Sequence, residues 1–384
     1  MNPPPITLEE RRGRLAALEA GMEAHGIAAC LIDATSSLRY FTGLSWHASE
    51  RLTGAVVRPG KPLIYITPRF ELDKVGSIVG VPGEILTWEE HENPFRLVAD
   101  TVGPNGKVAV DQQARVFIWL GLAEALGPER LVGADPLIVP LRARKSATEI
   151  DLMVRAKALT LEAHRRTHAS LQSGMRASDV VGFIDRQHRA LGADGGNTFC
   201  IASFGTDTSL PHGGEGDPEL KDGDVVLIDT GCALDGYNAD ITRTYVFGEP
   251  TMQVRRIWDL EHQAQAAAFD AARLGVPCEA VDAAARAVLT ANGLGPDYQL
   301  PGLPHRTGHG IGLDVHEAPN LVRGDRTALD VGMCFSNEPM IVVPGQFGIR
   351  LEDHFHMTAD GPKWFTQPQP SLDDPFAGVE PLPA

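Results

Sequence analysis

The sequence predicts two domains of mixed α and β structure: an α/β domain over residues 1–140 and a larger α+β domain over 146–366, followed by a Pro-rich tail at 367–384. Three observations predict it. The 384 residues exceed what one ordinary hydrophobic core absorbs. Over the first third, short apolar runs alternate with segments of helical period, the pattern of an α/β domain. Around 135–150 the text changes to DPLIVPLRARKSATEIDLM, where prolines precede a basic cluster and Ser146-Ala147-Thr148-Glu149 has the form of a capping box, so a new domain begins there.

In order along the chain, Thr7-Leu8-Glu9-Glu10 reads as a capping box, with Leu8, Leu15, Leu18 and Met22 at helical spacing until Gly26 ends the run. Residues 28–34, 54–68, 83–90 and 107–111 have the β-branched and apolar text of strands. From Ser146 a long helix runs to about Leu171, and further helices fit 178–191, 251–274 and 278–292. DVVLIDTGCAL (224–234) turns through Asp235-Gly236-Tyr237-Asn238 into ADITRTYVF (239–247), a hairpin by its turn chemistry. MCFSNEPMIVV (333–343) and GIRLEDHFHMT (348–358) resemble a second strand pair. No internal repeat is visible, although two strand pairs with two helices each suit a pseudo-twofold arrangement. The tail QPQPSLDDPFAGVEPLPA reads as extended or disordered.

Composition narrows the function. A hydrophobic fraction of 43% and a charged fraction of 22% suit a soluble globular protein. No apolar run approaches the roughly 18 residues that cross a bilayer, and MNPPPITLEERR lacks a basic-then-apolar leader, so the expected location is cytoplasmic. A net charge of −16 argues against nucleic-acid or anionic-membrane partners. Cys30, Cys200, Cys232, Cys278 and Cys334 are scattered and never in a CxxC pair, which suggests reduced, buried thiols rather than disulfides or a zinc knuckle.

The chemistry lies in the acids. Asp229 and Asp240 sit on opposite arms of the expected hairpin, each inside apolar β-text, where a carboxylate must be paired or hold a cation. Singly, each is explained by a turn or a cap. Glu338 and Glu352 repeat the situation on the second strand pair, and four such acids together suggest a divalent-cation site, since carboxylates bridge ions about 3.5–4 Å apart. One imidazole would complete a set favouring Mn²⁺, Co²⁺ or Zn²⁺ over Mg²⁺ or Ca²⁺. In HRTGHGIGLDVHE (305–317), His305, His309 and His316 lie among glycines 308, 310 and 312 that exclude a helix interior, as in a strand or loop close to a ligand. By contrast, His164, His168, His188 and His262 fall in helical text and read as surface residues. His354 and His356 share strand parity with Glu352, but each step of two residues advances about 6.6 Å, which carries them away from the cluster.

HRTGHGIGLDVHE resembles the signature of the Xaa-Pro dipeptidase (prolidase) and aminopeptidase P branch of the pita-bread (M24) metallopeptidases. PHGG (211–214), IDTG (228–231), NADITRT (238–244), SNEP (336–339) and RLED (350–353) follow the family order, so the resemblance covers about 146–360. SSLRYFTGL (36–44) is similar to the creatinase-like first domain of the same branch. The resemblance implies a pita-bread catalytic domain in which Asp229 chelates one metal, Asp240 and Glu352 bridge two, and His309 with Glu338 completes the other. It also implies that His212 and His316 face substrate, that His305 marks the proline-directed branch, and that Arg350 supports the metal carboxylates. Two divalent ions, Mn²⁺ first, would then acidify a water and polarise the scissile carbonyl, with Glu338 relaying the proton and His316 and His212 stabilising the tetrahedral intermediate.

The implied activity is removal of the residue preceding proline from dipeptides or short peptides. A first domain without clustered acids and histidines would then restrict substrate length and help to form a homodimer, with Trp46 and His47, in what reads as a loop, either reaching toward the site or serving only in packing. One alternative is a creatinase-like hydrolase of a small non-peptide C–N bond that needs no metal. Another is a non-catalytic binding protein on the same fold. Both predict loss of ligand residues, and all five are present here.

Overall fold

The structure, a computed structural model, describes residues 3–382. The first two residues of the expected first domain and the last two of the expected tail lie outside them. The described chain divides into two units, Ile6–Arg142 and a larger unit that joins the residues before Ile6 to those from Ala143 onward.

The smaller unit opens with α1 (Leu8–Ala24), where Thr7 Oγ1 accepts from Glu10 N at 3.1 Å. It continues through β1 (Ile27–Asp33), α2 (Ser36–Thr42), β2 (Gly54–Val57), β3 (Ile64–Pro68), α3 (Leu72–Ile78), β4 (Glu84–Trp88), α4 (Pro94–Val102), β5 (Lys107–Val110), α5 (Val116–Leu126), β6 (Leu131–Gly133) and α6 (Asp135–Ala143). The six strands form one sheet in the order β4-β3-β2-β1-β5-β6, antiparallel across β1, β2 and β3 and parallel at both flanks. Leu31, Val56, Ile66, Val98, Val108, Ile118 and Leu122 supply its core.

In the larger unit, α7 (Ala147–Ser170) starts on the capping box read from the sequence: Ser146 Oγ accepts from Glu149 N at 3.2 Å and Glu149 Oε2 accepts from Ser146 N at 2.8 Å. After α8 (Ala177–Leu191) come β7 (Asn197–Phe204), β8 (Asp224–Leu234), β9 (Tyr237–Asn238) and β10 (Ile241–Phe247), which build an antiparallel sheet β10-β8-β7 with β9 on β8. The turn between β8 and β9 has Asp235 at φ 47° and Gly236 at φ 76°, the left-handed pair that a tight hairpin needs. Next follow α9 (Met252–Ala271), α10 (Cys278–Ala291), β11 (Gly308–Gly310), β12 (Glu317–Leu321), β13 (Cys334–Asn337), β14 (Met340–Val343), β15 (Phe347–Arg350), β16 (Asp353–Thr358) and β17 (Gly361–Trp364). The expected second strand pair is therefore four strands in two sheets, β12-β11-β13-β16-β17 and the hairpin β14-β15. The chain leaves one sheet for the other at Glu338-Pro339 and returns at Leu351-Glu352, and a proline cannot donate to a ladder. Phe269, Phe335, Phe355 and Trp364 pack beneath, with Phe269 and Trp364 stacked at 4.1 Å.

Three expectations are corrected. The tail up to residue 382 has no helix or strand, yet it is anchored: Gln369 is fully buried, accepting from Thr244 N at 3.2 Å and donating to Thr244 O at 2.8 Å, and Leu372 and Phe376 are buried. Four of the cysteines are buried free thiols, whereas Cys200 is only partly buried. His164 and His188 are not surface residues. His164 is buried because α7 is covered on more than one face, and His188 because it continues the single buried face Ala177, Val180 and Ile184 of α8; His164 Nε2 meets Ile241 O at 2.9 Å and His188 Nε2 meets Thr160 Oγ1 at 3.2 Å. His168 and His262 are half-buried, against Tyr245 and Trp258.

Burial lowers the His188 pKa to about 4, against the opposing charge of Asp185. The unfolded chain takes up this proton near pH 6.5 and the folded chain only near pH 4, so stability is lost as pH falls through that window. In chelated, metal-free protein, the unfolding free energy lost between pH 7 and 4.5 should be roughly 2 kcal/mol smaller in His188→Gln than in the unsubstituted protein. Equal losses in urea titrations would show that His188 titrates normally. Among the described residues, no helix is long and apolar enough to cross a membrane.

Candidate metal centre

Register brings the acids together. In the β8–β10 ladder Thr242 lies opposite Asp229, which leaves Asp240 just beyond the end of β10, beside Asp229 on the adjacent arm. The approach depends on Gly231, where a Cβ would stand 1.8 Å from the Ala239 carbonyl. Glu338 and Glu352 occupy the two breaks where the chain changes sheets. Glu352 N donates to Thr242 O at 3.2 Å and Thr242 Oγ1 donates to Glu352 Oε2 at 2.7 Å, which fixes this acid against β10. His309 is on β11, whose Gly308 allows it to lie against Ser336; a Cβ there would be 2.1 Å from Ser336 O.

His309 is fully buried, with Nδ1 2.9 Å from Gly310 O. That contact places a proton on Nδ1 and points Nε2 at the acids, 3.1 Å from Glu338 Oε1 and 3.7 Å from Asp240 Oδ2. Asp229 Oδ1, Asp240 Oδ1, Glu352 Oε1 and His309 Nε2 are buried and have no hydrogen-bond partner among the described residues. Burial, then the charges of Glu352, Asp229 and Glu338, raise the Asp240 pKa well above the carboxylate range. Glu352 is raised by burial and by Glu338 and Asp229. Burial also raises Glu338, but His309, His305 and Arg350 outweigh it and hold that carboxyl below the usual range. Orphaned acceptors that repel one another and share one imidazole are the donor set of a divalent-cation site, so these residues fit metal. Donor atoms of Asp240, His309 and His316, and of His309, Glu338 and Glu352, fall within 4.8 Å of one another.

Arg350 Nη2 donates to Asp229 Oδ2 at 2.5 Å, Nε to Thr242 Oγ1 at 3.1 Å and Nη1 to Pro211 O at 2.9 Å. It therefore ties an acid to the segment that carries His212. Behind the centre, Arg243 and Asp353 form a fully buried pair, with Nη2–Oδ1 2.8 Å and Nη1–Oδ2 3.1 Å. A cavity of about 720 Å³ opens onto Asp229, Asp240, Glu338 and Arg350, with His212, His305, Arg306 and His316 on its lining. The His316 ring lies edge-on to His309 at 4.2 Å.

Sequence reasoning missed three things. The wall residues Thr198, Phe199 and Ile201 come from β7, a strand only half covered and flanked by no motif. Lys157 is fully buried, with Nζ 3.1 Å from Asn238 O. Its placement at helical spacing within the apolar face of α7 was the available signal. His354, expected to leave the cluster, is fully buried with Nε2 3.9 Å from Glu352 Oε1, and its donor atom groups with those of Asp240 and Glu352. The straight-strand rise does not apply because the chain breaks at Leu351-Glu352, between two sheets.

Residues 151–359 match the model of metallopeptidase family M24, and residues 14–144 match the creatinase/prolidase N-terminal domain. The probable dipeptidase PepE of Mycobacterium tuberculosis is 37% identical over 355 residues, covering 91% of this chain and 92% of that protein. Among solved structures, dipeptidase PepE from Mycobacterium ulcerans superposes with a TM-score of 0.89 at 35% identity over 96% of this chain and 99% of that one. A recombinant prolidase from Thermococcus sibiricus does so with 0.85 at 28% identity, over 93% and 96%.

Proposed function

Because the chain belongs to metallopeptidase family M24 and is a metal-dependent peptidase of pita-bread fold, we propose that it cuts the Xaa-Pro bond at the N-terminus of dipeptides or short peptides. The observation that carries the reading is the convergence of orphaned buried donor atoms on a cavity with apolar walls. In this proposal Asp229, Asp240, His309, Glu338 and Glu352 would hold two divalent ions. Mn²⁺ suits the mixed oxygen and imidazole set, with Co²⁺ or Zn²⁺ as substitutes. When bound, the ions supply Lewis acidity that acidifies water and polarises the scissile carbonyl.

The chain's own groups do the rest. Arg350 engages Asp229 Oδ2, which leaves Oδ1 for metal. Glu338, kept ionised, accepts a proton and delivers it to the leaving proline nitrogen. His316 and His212 donate to the carbonyl oxygen as charge develops there. His305, with Phe199, Ile201, Pro304 and Val315, walls the space for the pyrrolidine ring. We further propose a cytoplasmic homodimer in which the first domain limits peptide length; its Trp46 is half-buried with Lys74 Nζ 4.6 Å from the ring centre. Light scattering that reports a monomer would remove the dimer.

The test is a cleavage panel of Xaa-Pro dipeptides, tripeptides and longer peptides beside matched Xaa-Leu substrates, after chelation and after return of Mn²⁺, Co²⁺ or Zn²⁺. Metal-dependent cleavage that favours Xaa-Pro is expected. Equal turnover of Xaa-Leu would leave a dipeptidase without proline specificity, and activity that persists in chelator would favour the creatinase-like alternative.

A further inference from the structure

Between α10 and β11 the chain runs from Asn292 to Thr307 without helix or strand, and this segment brings Pro304, His305 and Arg306 to the cavity wall. An irregular loop of that length holds a side chain in place only if its own backbone polar groups are held. The holder is a pair of residues one turn apart on α10. Arg286 Nε donates to Asp282 Oδ2 at 2.9 Å, and both side chains are buried. The rest of the guanidinium faces loop carbonyls: Nη1 donates to Asp297 O at 2.6 Å and Leu303 O at 3.2 Å, and Nη2 to His305 O at 2.5 Å. The other Asp282 oxygen, Oδ1, accepts from Thr307 N at 3.2 Å and from Thr307 Oγ1 at 2.7 Å. Thr307 in turn offers its carbonyl to Glu338 N at 2.8 Å. Tyr298 closes the outer side, its ring centre 4.3 Å from the guanidinium carbon.

We propose that Asp282 and Arg286 are positioning residues for substrate: together they clamp the backbone on both sides of His305, so that α10 sets where this imidazole stands against the residue after the scissile bond. The inference rests on the reading that His305 shapes the substrate pocket. The clamp is geometric as well as electrostatic, because a guanidinium offers a rigid fork of donors that a lysine ammonium lacks. Its second arm, through Thr307 to the Glu338 amide, keeps the loop in register with β13. The His305 ring is left with Nδ1 2.7 Å from Arg306 O and with Nε2 unpartnered among the described residues, available to a ligand.

The experiment uses the full metal-loaded chain and whichever dipeptide the panel shows to be cleaved best. Arg286→Met is expected to raise KM at least about tenfold while kcat and metal content stay within about threefold, with Arg286→Lys recovering only part of the loss. In a His305→Ala background the same substitution should have little further effect, since a clamp has no function without the ring it holds. A multiplicative loss in the double variant, or a fall in kcat together with loss of metal, would overturn the proposal in favour of plain structural support. If Arg286→Met does not fold, Thr307→Val takes its place, removing one clamp contact while keeping the amide. If the best substrate is not Xaa-Pro, the specificity reading fails and the clamp is still decided by the cycle. If no dipeptide is cleaved, the His305 imidazole ¹⁵N signal, identified by its loss in His305→Ala, decides: unchanged position and width in Arg286→Met would overturn the clamp.

Discussion

Asp240→Asn is expected to lower kcat by about 10⁴-fold and to leave the protein with fewer than two metal ions, while raising the melting temperature of the metal-free form. The activity loss corresponds to roughly 5–6 kcal/mol of barrier, the scale of the Lewis-acid contribution that a shared ligand secures. The stability gain has a separate cause. Asp240 is 4% exposed, has an orphaned oxygen, and lies among Asp229, Glu338 and Glu352, whose charges oppose its ionisation. Its raised pKa makes ionisation a cost to the metal-free fold that grows as pH rises above the ordinary carboxylate range, and an isosteric amide removes that cost. Metal analysis, kinetics and calorimetry on chelated and reloaded protein read all three effects. His316→Ala provides the contrast: metal retained, with a loss of about 10²–10³ in kcat. Asp240→Asn with two ions and near-normal turnover would end the dinuclear assignment, and a destabilised apo variant would show that Asp240 is structural.

Arg243→Met should destabilise the folded chain by about 3–5 kcal/mol, because it strands a buried carboxylate. Both Arg243 and Asp353 are 0% exposed. The guanidinium also donates to the buried carbonyls of Glu352 at 2.9 Å and Thr242 at 3.0 Å and to Gln367 O at 3.2 Å, so its loss strips these acceptors of a donor. The double variant Arg243→Met, Asp353→Leu should recover part of the loss, as the uncompensated charge goes with the aspartate. Urea titrations give both values. A single-variant loss below about 1 kcal/mol would mean that the interior relaxes to admit solvent.

Much of the centre was legible because hard acids in β-text are conspicuous. A Val-Val-Leu-Ile run that contains Asp229, and an Asp-Gly turn that returns the chain to Asp240, leave few alternatives to a hairpin with converging carboxylates. The second half was less legible. Residues 333–343 and 348–358 keep an apolar text on both sides of Glu338 and Glu352, so nothing in the alternation reveals that each is split between two sheets. That split is what returns His354 to Glu352. Asp282 and Arg286 were invisible for another reason: acid and base four apart on a helix usually form an exposed pair worth a few tenths of a kcal/mol, and only burial distinguishes a clamp from one. The anchored tail was misread because Pro-rich composition reports backbone freedom, whereas Gln369 and Phe376 find partners in β10 and α7, and Leu372 joins the main core of the larger unit, all far away in sequence.

The pairing of Arg243 with Asp353 also sets an order of events during synthesis. All six strands of the first sheet lie between Ile27 and Gly133, so that unit can close while the remainder is still being translated. The hairpin bearing Asp229 and Asp240 emerges more than a hundred residues before Asp353 supplies the counter-charge for Arg243. Until then the nascent chain carries a guanidinium it cannot bury and two carboxylates without the acids they meet in the folded chain. Burial of the acid cluster therefore comes late in synthesis, because the carboxylate that neutralises Arg243 is among the last parts of the larger unit to be made.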